Sequence, residues 1–528
     1  MVTVDVPDDV EIKPAPREPV TDPTLGIPVA TAWHGTPAHR LVSIGDSLTH
    51  GFASGAVSAT DLSYSAIIAH ELGWDGLRFP RYELGGLPLN IELLLRELEQ
   101  VCGAELSWWE LPLALRRARR FMAQVEEYWE SGPGSQLPVP PATNPALAAN
   151  SASATNHVLA VYGWDLRDVL VRTADSCAAE IQPPTDDLVD QIVQNHGARA
   201  ALRVLPRATD ADRQRTVLDA AAELGQDTEV TSPGRDPEHG IETLVVFLGA
   251  NNALGAITKL NVVWSGPGFD DVARKGEFTV WRPSHFSAEL EHVVAEVHRI
   301  RARHVIWCTV PHVTIAPIAR GVHEKARPGS AYFPYYTRPW ISDQDFDPDR
   351  DPAITGEQAR TIDSAIDQYN DAITAAVAAA RRAGRDWYLL DLAGVLDRLA
   401  SRRYLEDAAA RPDWWEPYPL PPELAELTPV PDSRFLTSDE HGRRTGGLFS
   451  LDGVHPTTVG YGLIAQEIID VMVLAGVQFR PRSGGVRVDF DRLIQRDTLL
   501  TAPPANLTGS LHTLGWADNT LDLLRRIF

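Results

Sequence analysis

The chain has 528 residues, 44% of them hydrophobic, with 71 acidic against 48 basic side chains and a formal net charge of -23. That apolar fraction is enough for a large core, built as two domains or as one heavily decorated domain. The acidic balance excludes nucleic-acid backbones and anionic membrane surfaces as main partners. Only four lysines occur, Lys13, Lys259, Lys275 and Lys325, and they are scattered rather than clustered.

Residues 1–38 are rich in Pro, Asp and Thr and show no period, which predicts an extended arm ahead of the fold. They offer neither the basic start nor the apolar stretch of a secretory leader. From Arg40 the pattern changes: Leu41, Val42, Ser43 and Ile44 form a short apolar run ending at Gly45, as a buried parallel strand does on meeting a turn. Val158–Val161, Leu244–Leu248, His304–Cys308 and Trp387–Leu390 read the same way. Helical patterns lie between them, notably Ser287–Arg301 and Glu357–Arg382. The second sets Ile362, Ile366, Tyr369, Ile373 and Val377 on one face and has Gly384 placed to stop it. A last amphipathic helix is predicted over Thr457–Ala475, and residues 476–528 form a C-terminal extension, with a hairpin and a short helix at Leu521–Ile527.

Strands alternating with helices predict an α/β fold, a three-layer α/β/α domain around a flavodoxin-like parallel sheet, spanning 39–475. Three spacings are too long for bare crossovers, so insertions are expected at about 52–155, 311–356 and 401–448. The first carries Trp108, Trp109 and Trp129 and the third Trp414 and Trp415. These aromatic residues are either walls or a lid over an apolar substrate, or packed decoration.

The residues that could carry chemistry begin directly after the first strand, in Gly45-Asp46-Ser47-Leu48. A serine in that turn stands at the carboxyl edge of the sheet, where open α/β sheets place their sites. Ester cleavage by serine further needs a base and donors for an oxyanion. Asp452-Gly453-Val454-His455 has a spacing that lets the carboxylate fold back on one imidazole nitrogen and leave the other for a hydroxyl. The same spacing recurs in Asp236-Pro237-Glu238-His239, which precedes a strand and is read as a turn at the amino edge. His50, three residues from Ser47, is the first alternative base; His312 is read as a packing or surface residue.

On these blocks the chain resembles the GDSL/SGNH hydrolase family of serine esterases and lipases. The resemblance runs from Arg40 to Ala475 and leaves the insertions unmatched. It implies Ser47 as nucleophile, His455 as base and Asp452 as its orienting carboxylate. It also implies an oxyanion hole made by the backbone N–H groups of Ser47 and Gly163 and the amide of Asn251. Gly163 is taken from the run Asn156–Leu166, with Gly85 and Gly86 as the fallback. Asn251 belongs to Gly249-Ala250-Asn251-Asn252, where Asn252 replaces the family's usual Asp. Thr309-Val310-Pro311 resembles the family's strand-then-Pro turn.

The expected activity is hydrolysis of a small-molecule or lipid carboxylic ester, without metal or organic cofactor, since no P-loop, dinucleotide fingerprint or metal-ligand spacing occurs. An acyltransferase on the same fold and a non-catalytic binding or scaffold protein are the alternatives. Three cysteines with no C-x-x-C pair fit a reducing compartment, so a cytoplasmic protein without stable membrane insertion is expected. No sequence feature specifies an oligomer.

Overall fold

The five apolar runs are the strands of one parallel sheet in the computed structural model, which describes residues 6–13, 15–103, 111–136, 155–183, 194–227, 236, 238–481 and 485–505. They are β1 (His39–Gly45), β2 (Val158–Ala160), β3 (Ile241–Phe247), β4 (Ala302–Cys308) and β5 (Trp387–Leu390), in the spatial order β5-β4-β3-β1-β2. Counted from the other edge this is 2-1-3-4-5, a doubly wound order whose switch point lies between β1 and β3. Eight helices matter below: α1 (Ser47–His50), α2 (Tyr64–Leu72), α3 (Leu166–Val171), α4 (Val217–Gln226), α5 (Asn251–Thr258), α6 (Pro283–Arg299), α7 (Gly356–Arg382) and α8 (Thr458–Leu474).

Side chains alternate across a strand, so each strand feeds two cores. Val42, Ile44, Leu244, Val246, Val305 and Trp307 face the layer that contains α4, α6 and α7. Leu41, Val245, Phe247, Ile306, Cys308 and Leu390 face α2 and α8. The crossover helix α2 therefore lies inside the stretch 52–155 that the sequence marks as an insertion. Three segments within that stretch, Phe52–Ala53, Ala56–Val57 and Leu87–Pro88, pair as a small antiparallel sheet.

β3 and β4 begin earlier than their apolar runs because polar residues at the amino edge are paired there. Glu242 bonds Arg40, Arg303 bonds Asp236 at 3.0 Å and His304 bonds Asp386 at 2.7 Å. α6 starts at Pro283, four residues before the apolar pattern, because proline at the first helical position sacrifices no hydrogen bond. α7 carries a Thr355–Gln358 capping box and ends before Gly384, whose φ of +80° breaks the helical path.

The N-terminal arm lies along α7 and then along the sheet edge. Lys13 pairs with Asp371, Arg17 grips both oxygens of Asp391, and Pro23 accepts the β5 hydrogen bond from Leu389 N–H at 2.9 Å. The exposed edge of β5 is thus covered. In the insertions, Trp129 and Trp415 are buried in packing, with Trp415 Nε1 bonded to Asp397 O, which favours decoration over a lid at these two positions. Trp108 and Trp109 lie outside the described residues, as does Leu521–Ile527. The C-terminal extension contributes two short helices, Phe490–Arg496 and Thr498–Thr501, and Phe490 and Leu493 pack on α8. Among the described residues it forms no hairpin.

After β4 the chain is pinned by His312, which is buried rather than on the surface. Its Nδ1 bonds Asp397 at 3.0 Å and its Nε2 bonds Asp367 of α7 at 3.1 Å. Burial opposes a charge on this ring, but Asp397, Asp363 and Asp367 overcome it and hold the imidazole well above its ordinary range. A raised folded pKa stabilises fully below the unfolded value of 6.5, and the contribution is lost as pH rises through the folded value. His312→Gln leaves two buried carboxylates short of a cation and should cost about 3–5 kcal/mol. A lower urea midpoint at mildly acidic pH, with a deficit that shrinks on going alkaline, is the expected result.

Candidate active site

Parallel register sets three chain ends level. Gly45, the last residue of β1, stands opposite both Ala160 of β2 and Phe247 of β3. Ser47, Gly163 and Asn251 follow those three residues by two, three and four positions, so all leave the sheet at its carboxyl edge, beside the switch point. Gly45 is required for the turn: a Cβ there would lie 1.9 Å from Thr49 Oγ1 and 2.8 Å from Phe247 O.

Ser47 is the first residue of α1, a position whose N–H has no intrahelical partner. Asp46 caps this helix by accepting from Leu48 N–H at 3.1 Å. Asp46 is fully buried, and among the described residues its second oxygen has no hydrogen-bond partner. Burial pushes its carboxyl up to about 7, against the opposing pull of the Leu48 N–H and of His455 nearby.

The dyad reaches this helix from the far end of the chain. Asp452 Oδ1 accepts from the N–H groups of Val454 and His455 at 2.9 and 2.8 Å, and Oδ2 accepts from His455 Nδ1 and Gly55 N–H, both at 3.0 Å. Burial alone would neutralise such a carboxyl; the His455 ring and the hydrogen bonds from His455 and Val454 hold it below the usual carboxylate range. The Gly55 bond ties Asp452 to the loop that follows α1. Two more bonds reinforce the seam, Ser54 N–H to Ser450 Oγ at 2.8 Å and Leu451 N–H to Ser54 Oγ at 3.3 Å. The Phe52 and His455 rings pack with centroids 4.5 Å apart. His455 thus meets Phe52, in the loop after α1, and interacts with Asp46, the residue before Ser47; among the described residues no hydrogen bond joins it to Ser47 directly.

Gly163 sits in a turn anchored from three sides. Tyr162 N–H donates to His50 Nδ1 at 3.2 Å, Lys275 Nζ donates to Gly163 O at 2.8 Å, and Asn251 Nδ2 donates to Trp164 O at 2.7 Å. With φ at +74° the position favours glycine, and a Cβ there would meet nothing within 4 Å, so this face opens onto free space. Among the described residues the Gly163 N–H makes no backbone hydrogen bond. An amide nitrogen carries two hydrogens, so the Trp164 bond leaves Asn251 one to give. Asn252 is fully buried, its backbone bonded to Gly249 and Trp281, while its side-chain amide has no hydrogen-bond partner among the described residues.

The rival residues are placed elsewhere. His50 is fully buried, with Nδ1 accepting from Tyr162 and Nε2 bonded to Tyr82 Oη at 2.8 Å; burial pushes its ring down to about 3. Both nitrogens are occupied, so it acts as a brace between α1 and the Gly163 turn. His239 and Asp236 stand at the amino end of β3, where Asp236 also holds Arg303 and the His239 ring packs edge-on to Trp33. Gly85 and Gly86, at φ of +78° and +92°, make the turn before Leu87–Pro88, and a Cβ on Gly86 would lie 2.1 Å from Val57 O. They are structural.

Phe52, Asp46 and Lys275, to which the sequence assigns no role, also belong to this region. Lys275, besides holding Gly163 O, pairs with Asp168 in the capping box of α3. Its rarity, as one of four lysines, was the one available signal. Among the described residues no group of three or more His, Cys, Asp or Glu side chains could hold a metal ion, and no helix is long and apolar enough to cross a membrane. No family model matches the chain, and no curated protein matches it.

The Asp46 carboxyl offers a test of this electrostatic arrangement. Its folded value of about 7 exceeds the ordinary 3.8, so between them the folded form holds a proton that the unfolded form has lost. Stability must then fall as pH rises from about 4 to about 7. Asp46→Asn keeps the cap and removes the titration. Its unfolding midpoint should gain on the parent across that window, and parallel pH profiles of the two proteins would contradict the assignment.

Proposed function

We propose that the protein is a serine ester hydrolase of the GDSL/SGNH type, working through an acyl-enzyme on Ser47. The observation that carries this reading is the levelling of β1, β2 and β3, which sets Ser47, Gly163 and Asn251 at one sheet edge. The Asp452–His455 dyad is stitched to the loop leaving Ser47.

His455 Nε2 takes the Ser47 hydroxyl proton as Oγ attacks the acyl carbon. Asp452, already bonded to Nδ1, holds the tautomer and steadies the imidazolium. The carbonyl oxygen becomes an oxyanion, for which the N–H groups of Ser47 and Gly163 and the second hydrogen of Asn251 Nδ2 are the donors. Collapse breaks the ester bond, and the alcohol leaves with the proton from His455. Water, deprotonated by the same ring, then attacks the acyl-enzyme and releases the acid and free Ser47. Hydrogen bonds in such sites commonly shorten only once substrate is bound.

With a short p-nitrophenyl ester, Ser47→Ala and His455→Ala should each lower turnover on the order of 10⁴-fold or more. Asn251→Ala should lose about 10²–10³-fold, and His239→Ala should match the parent. A fluorophosphonate probe should label the parent and not Ser47→Ala. Full activity in Ser47→Ala, with its circular dichroism unchanged, overturns the proposal. An unlabelled parent favours a non-catalytic binding protein, and preferential acyl transfer to added alcohol favours a transferase.

A further inference from the structure

Behind the Asp452–His455 loop the structure holds a cavity of about 310 Å³, at the lower end of the roughly 300–1,000 Å³ of small-molecule sites. It shares a wall with that loop: Ile318 N–H donates to Gly453 O at 3.0 Å, and the Phe435 ring packs where a Gly453 side chain would begin.

Four arginines line this cavity, Arg320, Arg402, Arg403 and Arg434, against one carboxylate, Glu406. In a chain of net charge -23 that convergence runs against the overall composition. Three of the four are already neutralised. Arg320 pairs with Asp343 at 2.6 Å, Arg403 with Asp363 at 2.8 Å, and Arg434 with Glu406 and Asp432 at 2.9 and 2.8 Å. Arg402 is different. Among the described residues it makes no hydrogen bond and no ion pair, and its guanidinium lies over the Phe333 ring, 4.8 Å from the centroid. Burial and the neighbouring Arg320 both disfavour its charge, while Glu406 and Asp343 only partly offset them.

A half-buried guanidinium with its fork unused is matched by an anion that a planar donor pair can grip, and because Asp343, Asp363, Glu406 and Asp432 already surround the four arginines, a single negative charge is the most that Arg402 can offset. We propose that this cavity binds a small organic monocarboxylate, its carboxylate held by Arg402 and its apolar body against Phe333 and Tyr336. A dianion would bring a second, uncompensated charge towards Glu406. The site stands independently of the chemistry at Ser47.

The probe is phenylacetate, titrated into the full-length protein by calorimetry or saturation-transfer NMR, with benzyl alcohol as the neutral analogue and phenyl phosphate as the dianionic one. Phenylacetate should bind saturably, and at least tenfold more tightly than benzyl alcohol. Arg402→Ala and Arg402→Gln should each weaken it at least tenfold, and Arg402→Lys should recover part of the loss. Because Arg402 makes no hydrogen bond among the described residues and its one ring contact is with Phe333, these variants should still fold, with unfolding temperatures close to the parent's. Unsaturable phenylacetate binding, equal affinity in Arg402→Gln, or tighter binding of phenyl phosphate each overturns the proposal. Since binding is read directly, an inactive Ser47 would leave this result standing.

Discussion

A carboxylate without water must gather donors or lose its charge, and Asp452 gathers four of them. Two come from its own turn, one from the imidazole three residues on, and one from Gly55, nearly 400 residues back along the chain. This one buried group therefore does three jobs: it shapes the turn, orients the ring and docks the turn against the loop that follows Ser47. Each donor that satisfies it also removes a way for the loop to move. Gly55 and the neighbouring Ser54, at φ of +80° and +51°, show how far the backbone bends to reach it.

The same logic of satisfied buried polarity governs the opposite wall. His50 cannot serve as a proton acceptor for Ser47, since its ring is closed between Tyr162 N–H and Tyr82 Oη. Its role is to carry the position of α1 across to the turn holding Gly163. Lys275 and Asn251 fix the two carbonyls of that turn from other elements. The turn is thereby held at Tyr162, Gly163 and Trp164 by three separate elements, which suits the proposed reaction, since preorganised donors are worth most when nothing has to reorganise. Two buried polar side chains here, Asp46 and Asn252, keep atoms without a hydrogen-bond partner among the described residues, and each adjoins a residue of the proposed site, Ser47 or Asn251.

The scaffold supports this by being closed on both faces and at the β5 edge. First and last core helices, α2 and α8, share one face, while α4, α6 and α7 cover the other. The N-terminal arm seals the edge of β5 through Pro23 and Asp391. The insertions bury Trp129 and Trp415 in packing, and the second and third of them line the arginine-rich cavity behind Gly453.

Five short apolar runs were enough to locate all five strands, because a strand buried on both faces has no polar option along its length. The strand ends were less legible, because Glu242 and Arg303 are polar yet buried by partners distant in sequence. The serine turn and the D-x-x-H spacing could be read locally, since both depend on neighbours within a few residues. Local spacing could not choose between two copies of D-x-x-H, between Gly163 and Gly85–Gly86, or between His455 and His50. Position relative to the strands already favoured His455 and Gly163; strand order, register and the Gly55–Asp452 seam add that Gly163 leaves the sheet level with Ser47 and that His455 docks on the loop after it, through contacts between segments that the linear chain keeps far apart.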